Sequence, residues 1–450
     1  MGFIYSFFNQ PAIIIGLIAF VGLVALKKPF SKILVGTFKT IIGFLLLSNG
    51  GTIISNALNT LGPAFESAFG IRGVIPSNEA VIGAAQNIFG TEMALIMFFG
   101  LCVNIIIARF SKLKYIFLSG HHILFMSAIL SAVLGTIGFD GIELVIVGSL
   151  FLGAIMTLSP AMVQPFYRKV TGTDDIAMGH FNGVIYVLGA LISKWVGNKK
   201  KSTEEINVPE QLSFIRDNTI TTSIVMMLIY IVTFLFADPE LMQEISDGNN
   251  IIMFAIMQAF TFTVGFVVVL QGVRMMLAEI VPAFKGISEK IVPNATPALD
   301  VPVIFSYAPN AVLVGFISAT VGAFVAFLII PFTGLPVIIP ALVNLFFIGA
   351  GGGVLANSTG GLRGTVIGCF FNGVLQIFLP AFLLPLLGQL GFANSTFADS
   401  DFASVGIILG RVGQSFDKVG IYALLVIVIL FFVVHSVLKK PSKVASTECE

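Results

Sequence analysis

The 450-residue chain is 56% hydrophobic and only 10% charged, whereas soluble proteins carry about a quarter charged residues. This composition excludes an ordinary soluble protein, and the net charge of +1 gives no indication of nucleic-acid binding. Apolar runs of about 20 residues, long enough for a helix to cross the hydrocarbon layer, recur along the chain. The sequence therefore predicts an all-α polytopic membrane protein with re-entrant or broken segments.

The apolar runs between charged or turn-rich breaks predict eleven membrane spans. The first five lie near residues 11–26, 33–58, 91–108, 115–137 and 142–163. The other six lie near residues 219–236, 251–272, 309–330, 335–350, 365–387 and 419–438. Lys and Arg cluster after the first, third, fifth and last spans and before the sixth, whereas 238–250 and 388–403 contain acids without Lys or Arg. Because basic loops stay in the cytoplasm, we expect the N-terminus outside and the C-terminus inside.

Two stretches of the chain, residues 42–50 and 264–272, copy each other, and each ends in an amide followed by glycine. Copies separated by five spans cross the membrane in opposite directions, which is typical of transporters built from inverted repeats. We expect a first repeat of five spans over residues 1–217 and a second over 218–402. A last helix and a short cytoplasmic tail would then occupy residues 403–450.

An acid follows each copy, three residues after a proline: Glu79 after Pro76, and Asp300 after Pro297. Asp300 also precedes Pro302, and prolines on both sides prevent a continuous helix. An ionisable residue at membrane depth usually serves binding or transport, so Asp300 is a candidate ligand group; the alternative is a helix cap. Glu79 is a candidate ligand group or a solvated turn residue.

Two of the four histidines, His121 and His180, are the best candidates among them because they stand beside glycine-containing breaks. Each either contacts a ligand or is simply packed. Their spacing does not fit the helical two-histidine metal motif, and no nucleotide-binding phosphate loop is present. The sequence therefore predicts no metal and no cofactor.

Glycine clusters occur at Gly50-Gly51, around Gly353 and from Asn357 to Gly361. Small residues allow helices to pack closely, which is one interpretation of these clusters. The other is that glycine beside amide and hydroxyl groups lets a sugar-like ligand reach the backbone. The segment that begins at Asn357 is predicted to be the tip of a hairpin.

Several longer motifs are more specific than the hydropathy profile. They are Lys-Thr-Ile-Ile-Gly-Phe at 39–44, Gln-Gly-Val-Arg-Met at 271–275, Ala-Glu at 278–279 followed by Ala-Phe-Lys-Gly-Ile-Ser at 283–288, and Ile-Phe-Ser-Tyr-Ala-Pro-Asn-Ala-Val at 304–312. With these motifs the chain resembles, over nearly its whole length, the ascorbate-specific enzyme IIC, the membrane permease of a bacterial phosphotransferase system.

The resemblance implies a homodimeric permease in which a core domain moves against a dimerising domain. It implies import of L-ascorbate and its delivery to a separate enzyme IIB, whose phosphocysteine phosphorylates it, with enzyme IIA as a further partner chain. The permease itself is then not an enzyme. Family substrate contacts match His121, His180, Asp300, Gly50 and Gly353. One departure is Phe125, which stands where the family motif has a glutamine.

Two other functions are compatible with the residues. An ion-coupled secondary transporter of a related small sugar acid or polyol would use inverted repeats and broken helices equally well. An intramembrane enzyme could use His121, His180 and Asp300, although no nucleophile is paired with these histidines in the sequence.

Overall fold

The computed structural model describes residues 11–70, 73–206, 218–387 and 395–438, which are mostly helical. The helices in these ranges are α1 Pro11–Ala25, α2 Phe30–Phe69, α3 Asn78–Phe110, α4 Gly120–Thr136, α5 Gly141–Thr171, α6 Gly183–Val196, α7 Asn218–Phe236, α8 Pro239–Ile245, α9 Ile251–Ile291, α10 Pro309–Ile329, α11 Leu342–Leu383 and α12 Ser400–Leu438. The strands are β1 Gly73–Pro76, β2 Tyr115–Phe117, β3 Ala177–Met178, β4 Thr296–Leu299, β5 Val337–Ile338 and β6 Ser395–Thr396.

Six helical stretches in the described ranges are long and apolar enough to cross a membrane. They are Ile88–Phe110, Gly141–Thr171, Ile251–Val268, Pro309–Thr333, Asn344–Leu386 and Ser400–Ser436. Shorter apolar helices, including α4 and α6, accompany them. The prediction of a mostly helical polytopic membrane protein is therefore confirmed.

Helix α11 is a hairpin of two helical arms rather than one straight rod. Gly361 at its centre has φ 61° and ψ −160°, a conformation essentially restricted to glycine. The Sγ atom of Cys369 lies 3.8 Å from the carbonyl oxygen of Gly349. In a straight helix these residues would be about 30 Å apart, at 1.5 Å per residue. The chain therefore reverses at Gly361, which confirms the predicted hairpin tip.

The six strands form two three-stranded parallel sheets in the described residues, with orders β5-β1-β6 and β2-β4-β3. In the first sheet Gly73 pairs with Val337 and Ile75 with Ser395. In the second sheet the central strand β4 pairs in parallel with β2 on one side and with β3 on the other. Each sheet thus takes its central strand from one half of the chain and both outer strands from the other half.

The helix boundaries differ from the predicted spans in several places. Helices α2 and α9 continue well beyond their apolar runs, to Phe69 and Ile291, and the run predicted at 115–137 begins with strand β2. Helix α6 was not predicted because it has only 14 residues. Helix α12 is kinked at Asp417, and the part before this kink lies outside the predicted spans because Asp401 and Arg411 interrupt its apolar pattern. Residues 395–403, predicted as part of an outer loop, instead form β6 and the buried start of α12.

Close helix contacts depend on glycines without room for a side chain. A Cβ atom on Gly373 in α11 would lie 1.8 Å from the carbonyl oxygen of Ala319 in α10. A Cβ atom on Gly353 would lie 2.2 Å from the carbonyl oxygen of Ala311. These obstacles are backbone atoms, so they cannot move aside as a flexible side chain can. Small residues therefore set the distance between α10 and α11.

We expect Gly373→Ala to destabilise the protein by about 1–3 kcal/mol, because the new methyl group would force α10 and α11 apart. Gly135→Ala is the matched control, since its Cβ would meet only the ring of Phe89, at 3.0 Å. Thermal unfolding of both variants in detergent is the measurement. Equal melting temperatures for the two variants would contradict the close packing.

Candidate functional site

Three polar segments meet at one edge of the sheet β2-β4-β3. His121 and His122 follow β2, His180 follows β3, and Asp300 is the first residue after β4. Because the strands are parallel, their carboxyl ends lie at the same edge. Residues far apart in the sequence are thereby brought together, as predicted for His121, His180 and Asp300.

The carboxylate of Asp300 lies between the three histidine rings. Its Oδ1 atom is 2.8 Å from His180 Nδ1 and 3.8 Å from His122 Nε2, while its Oδ2 atom is 3.6 Å from His121 Nε2. Asp300 is also the N-cap of a 3-10 helix, since Oδ1 accepts a hydrogen bond from the backbone N–H of Val301. The Asp300 side chain therefore caps the 3-10 helix and also belongs to the polar cluster.

His122 belongs to this cluster more closely than the sequence indicated. Its Nε2 atom is within hydrogen-bond distance of His180 Nδ1, and its side chain is only 2% exposed. His121 is more exposed, at 21%, and Asp300 at 34%. His121 and Asp300 are thus the members of the cluster that a ligand can reach most easily.

The donor atoms of His121, His122 and Asp300 lie within 4.8 Å of one another. Imidazole nitrogen and carboxylate oxygen are common transition-metal ligands, so these residues could hold an ion. The Oδ1 atom of Asp300 already accepts from Val301 and lies against His180. These contacts give the cluster an internal role that needs no ion, and the sequence prediction of no metal stays a prediction.

A polar network connects this cluster to the other sheet. The side-chain amide of Asn182 donates to Asp399 Oδ1 at 2.7 Å and lies 3.1 Å from His180 Nε2. The amide of Asn78, two residues after β1, donates to Asp399 Oδ2 at 2.7 Å. The chain of contacts from Asp300 to Asn78 therefore crosses from one sheet to the other.

Two helix N-termini meet beside this network. The carboxylate of Asp401 accepts hydrogen bonds from the backbone N–H of Val184 and from the hydroxyl of Ser159, both at 2.8 Å. In return, Asn182 Oδ1 accepts from the backbone N–H of Ser400 at 2.8 Å. The starts of α6 and α12 thus cap each other, and the buried acid Asp401 is supplied with donors.

Helix α4 also begins at the cluster, but its N-terminus is not capped in this way. Ser119 is its N-cap residue and accepts no hydrogen bond through its side chain. His121 and His122 lie in the first turn, so the positive end of the helix faces the same place as their rings. Such an N-terminus suits a negatively charged ligand.

Phe125 closes one side of the cluster, one turn along α4. Its ring packs edge-on against His121, with centroids 5.9 Å apart, and against Phe402 at 6.2 Å. Phe125 is only 3% exposed and carries no hydrogen-bonding group. At this position the site therefore presents an apolar wall rather than the amide of the resembling family's glutamine.

The other predicted site residues lie at helix contacts or outside what is described. Gly353 packs against α10, and the carbonyl oxygen of Gly50 lies 3.0 Å from where a Cβ on Gly265 of α9 would be. The surroundings of Gly51 and of the Glu79 side chain lie outside the described part of the structure.

The alignment of Glu79 with Asp300 is wrong by two residues. The residue that follows β1 directly is Ser77, whereas Asp300 follows β4 directly. Pro76 is the last residue of its strand and Pro297 the second of its own, so the two prolines do not hold equivalent positions. The equal spacing from proline to acid concealed this difference.

The site residues that the sequence did not reveal are Asn78, Asn182, Asp399 and Asp401. Asp399 and Asp401 are each 4% exposed, although the charge pattern of 388–403 predicts a loop outside the membrane. A signal was present, because both acids stand in an apolar stretch without a neighbouring basic residue. The position of Asn182, two residues after His180, was a weaker indication that it belongs to the site.

Comparison with known proteins identifies the family. Residues 6–401 match the model of the sugar-specific permease component of the phosphotransferase system. The chain belongs to this family. The permease is therefore a multi-pass cell-membrane protein.

The permease is also similar to the ascorbate-specific phosphotransferase EIIC component of Mycoplasma pneumoniae, at 27% identity over 435 residues. The match covers 84% of this chain and 66% of that relative. The chain thus spans just under two thirds of the length of the relative that it matches.

Asn357, the remaining predicted site residue, forms hydrogen bonds to the backbone and to a side chain. Its Oδ1 atom accepts a hydrogen bond from the backbone N–H of Thr203 at 3.0 Å, and its amide donates to Ser202 Oγ at 3.1 Å. The hydrogen bonds described for Asn357 therefore hold the loop after α6 rather than the histidine cluster.

We expect Asn357→Ala to lower the free energy of unfolding by about 1–3 kcal/mol, because it leaves a partly buried N–H of the loop without its acceptor. The affinity of this variant for a ligand at the histidine cluster should change less than about twofold, because the hydrogen bonds described for Asn357 lie at the loop after α6. A twofold change in affinity is well below the 1.4 kcal/mol of a tenfold change. Thermal unfolding and equilibrium binding measure the two effects. A tenfold loss of affinity in a stable variant would instead place Asn357 in the binding site.

Proposed function

We propose that the permease imports L-ascorbate and presents it to a separate, phosphorylated enzyme IIB. The observation that carries this proposal is the position of His121 and His180 around Asp300, at the uncapped N-terminus of α4. The name of the relative from Mycoplasma pneumoniae supports the choice of ascorbate among sugar-like substrates.

The chemistry of ascorbate fits these groups. At neutral pH the molecule is an enolate anion on a lactone ring with a hydroxylated side chain. The enolate needs hydrogen-bond donors, which the imidazole N–H of His121 and the N-terminal N–H groups of α4 supply. The side-chain hydroxyls need an acceptor, which the partly exposed carboxylate of Asp300 supplies.

The proposal includes an inverted repeat with eleven spans, the first repeat over 1–217 and the second over 218–402. Both sheets have the same order, with a central strand from one half and outer strands from the other, and this supports the duplication. The last helix and tail would follow over 403–450, with the N-terminus outside and the C-terminus in the cytoplasm.

Movement in the proposed cycle occurs between two groups of helices. Helices α1, α2, α7 and α9 pack with one another, and the remaining long helices surround the sheets. We assign the first group to the dimerising domain of a homodimer and the second to the moving core. The core binds substrate from outside, carries it across and exposes it to enzyme IIB.

Phosphorylation then traps the imported substrate. The phosphoryl group leaves the cysteine sulfur of enzyme IIB and forms a bond to a hydroxyl oxygen of ascorbate, and the hydroxyl proton passes to the released cysteine thiolate. A dianionic phosphate beside Asp300 is electrostatically unfavourable, so the product leaves towards the cytoplasm.

Binding of labelled ascorbate to the purified permease tests the site. We expect Asp300→Ala and His180→Ala to weaken binding about 10- to 100-fold, the effect of losing a hydrogen bond to a charged group. His435→Ala is the matched control, because His435 stacks on Phe431 near the end of α12. The site is wrong if the wild type binds no ascorbate or if all three variants bind as it does.

Uptake in cells distinguishes the proposed function from ion-coupled transport. Ascorbate uptake should continue when the proton gradient is collapsed and should stop when enzyme IIB is deleted, because phosphorylation supplies the driving force. Cells that lack the permease gene give the background. Uptake that survives loss of enzyme IIB but not loss of the gradient would instead support a secondary transporter of a sugar acid or polyol.

A further inference from the structure

The orientation of the Asn182 side chain is fixed by a donor that cannot be reversed. The backbone N–H of Ser400 donates to Asn182 Oδ1 at 2.8 Å. A backbone N–H can only donate, so this atom must be the amide oxygen. The Nδ2 group of Asn182 therefore points to Asp399 Oδ1, at 2.7 Å, and to His180 Nε2, at 3.1 Å.

This orientation decides which nitrogen of His180 carries the proton. An amide NH₂ group has only hydrogens to offer, so His180 Nε2 must accept and cannot itself be protonated. In a neutral imidazole the hydrogen is then on Nδ1. His180 Nδ1 lies 2.8 Å from Asp300 Oδ1 and is also within hydrogen-bond distance of His122 Nε2. The Nδ1–H group donates to the carboxylate, which is the stronger acceptor, and His122 Nε2, which faces the same hydrogen, is then the unprotonated nitrogen of its own ring.

Asp399 completes the arrangement from the other side. Its Oδ2 atom accepts from Asn78, whose own Oδ1 accepts from the backbone N–H of Ala398 at 2.8 Å. Asp399 is thus held between two amides, and both amides are oriented by backbone N–H groups. The side chains of Asn78, Asn182 and Asp399 are each at most 4% exposed, so water has little access to replace these partners.

We propose that Asn182 is a positioning residue that fixes the Nδ1–H tautomer of His180 and thereby directs its hydrogen to Asp300. This arrangement leaves Asp300 Oδ2, which lies 3.6 Å from His121 Nε2 and accepts no hydrogen bond among the described residues, as the acceptor for a substrate hydroxyl. The inference rests on the proposed function for its effect on binding, whereas the tautomer itself is a property of the permease without substrate.

Asn182→Asp is the decisive substitution. It keeps the acceptor for Ser400 and almost the same shape, but it replaces the NH₂ group that faces His180 with an oxygen. His180 should then carry a proton on Nε2, and ascorbate binding should weaken about tenfold as the hydrogen bond to Asp300 is disturbed.

Nitrogen NMR of the full-length permease with labelled histidine, in lipid nanodiscs and without substrate, reads the tautomer directly. The chain has only four histidines, and His180→Gln assigns the signal of His180. We expect protonated Nδ1 and unprotonated Nε2 in the wild type, and a protonated Nε2 in Asn182→Asp. A wild-type His180 with its proton on Nε2 would overturn the proposal.

Asn78→Asp is the matched control. It removes the same kind of amide donor from Asp399, at the same 2.7 Å distance, but has no described contact with His180. The His180 signals should stay as in the wild type. If Asn78→Asp and Asn182→Asp change the histidine signals in the same way, the role of Asn182 is only structural and the proposal is wrong.

The double substitution N182D/D399N distinguishes an effect on folding from an effect on the tautomer of His180. An amide at position 399 can donate to a carboxylate at position 182 and still accept from Asn78, so the network is restored. Thermal stability should recover relative to Asn182→Asp, whereas the protonated Nε2 and the weak binding should persist. Recovery of binding together with stability would refute the positioning role. A wild type that binds no ascorbate would refute the proposed function alone, since the tautomer is read without substrate.

Discussion

The fold depends on how hydrogen bonds are supplied to broken helices inside an apolar environment. Backbone N–H and C=O groups that leave a helix at membrane depth find no water, so the protein must provide their partners. In the described residues the breaks are extended into six short strands, and each strand pairs in one of two parallel sheets. Each central strand comes from one half of the chain and its neighbours from the other. Neither half could therefore supply the hydrogen-bond partners that its own broken segments need.

The same constraint explains why buried carboxylates are tolerated near the sheets. An unpaired charge in this environment is costly, but Asp399 and Asp401 receive hydrogen bonds from amide, hydroxyl and backbone donors. One of these donors is the backbone N–H of Val184 in the first turn of α6, which would otherwise lack a partner. The acids and the helix starts therefore satisfy each other, and the site rests on a rigid polar framework.

The candidate site differs from this framework in being incompletely satisfied. The Asp300 carboxylate is about one third exposed, His121 is reachable, and the side chain of the N-cap residue Ser119 does not cap α4. The groups that remain are donors around one acceptor, which is the arrangement expected for a small hydroxylated anion. Framework and site are linked through His180, which contacts Asn182 on one side and Asp300 on the other.

The sequence by itself determined the membrane class, most long helices and a hairpin tip at 357–361, and it singled out His121, His180 and Asp300 as candidate site residues. These features follow from apolar run length, from the special conformation of glycine and from the cost of ionisable groups in a membrane. The sequence did not determine which strands pair, that Ser77 rather than Glu79 follows β1, or that Asp399 is buried beside Asn182. Only the tertiary structure decided these points, because strand pairing between the two halves brings together residues more than a hundred positions apart.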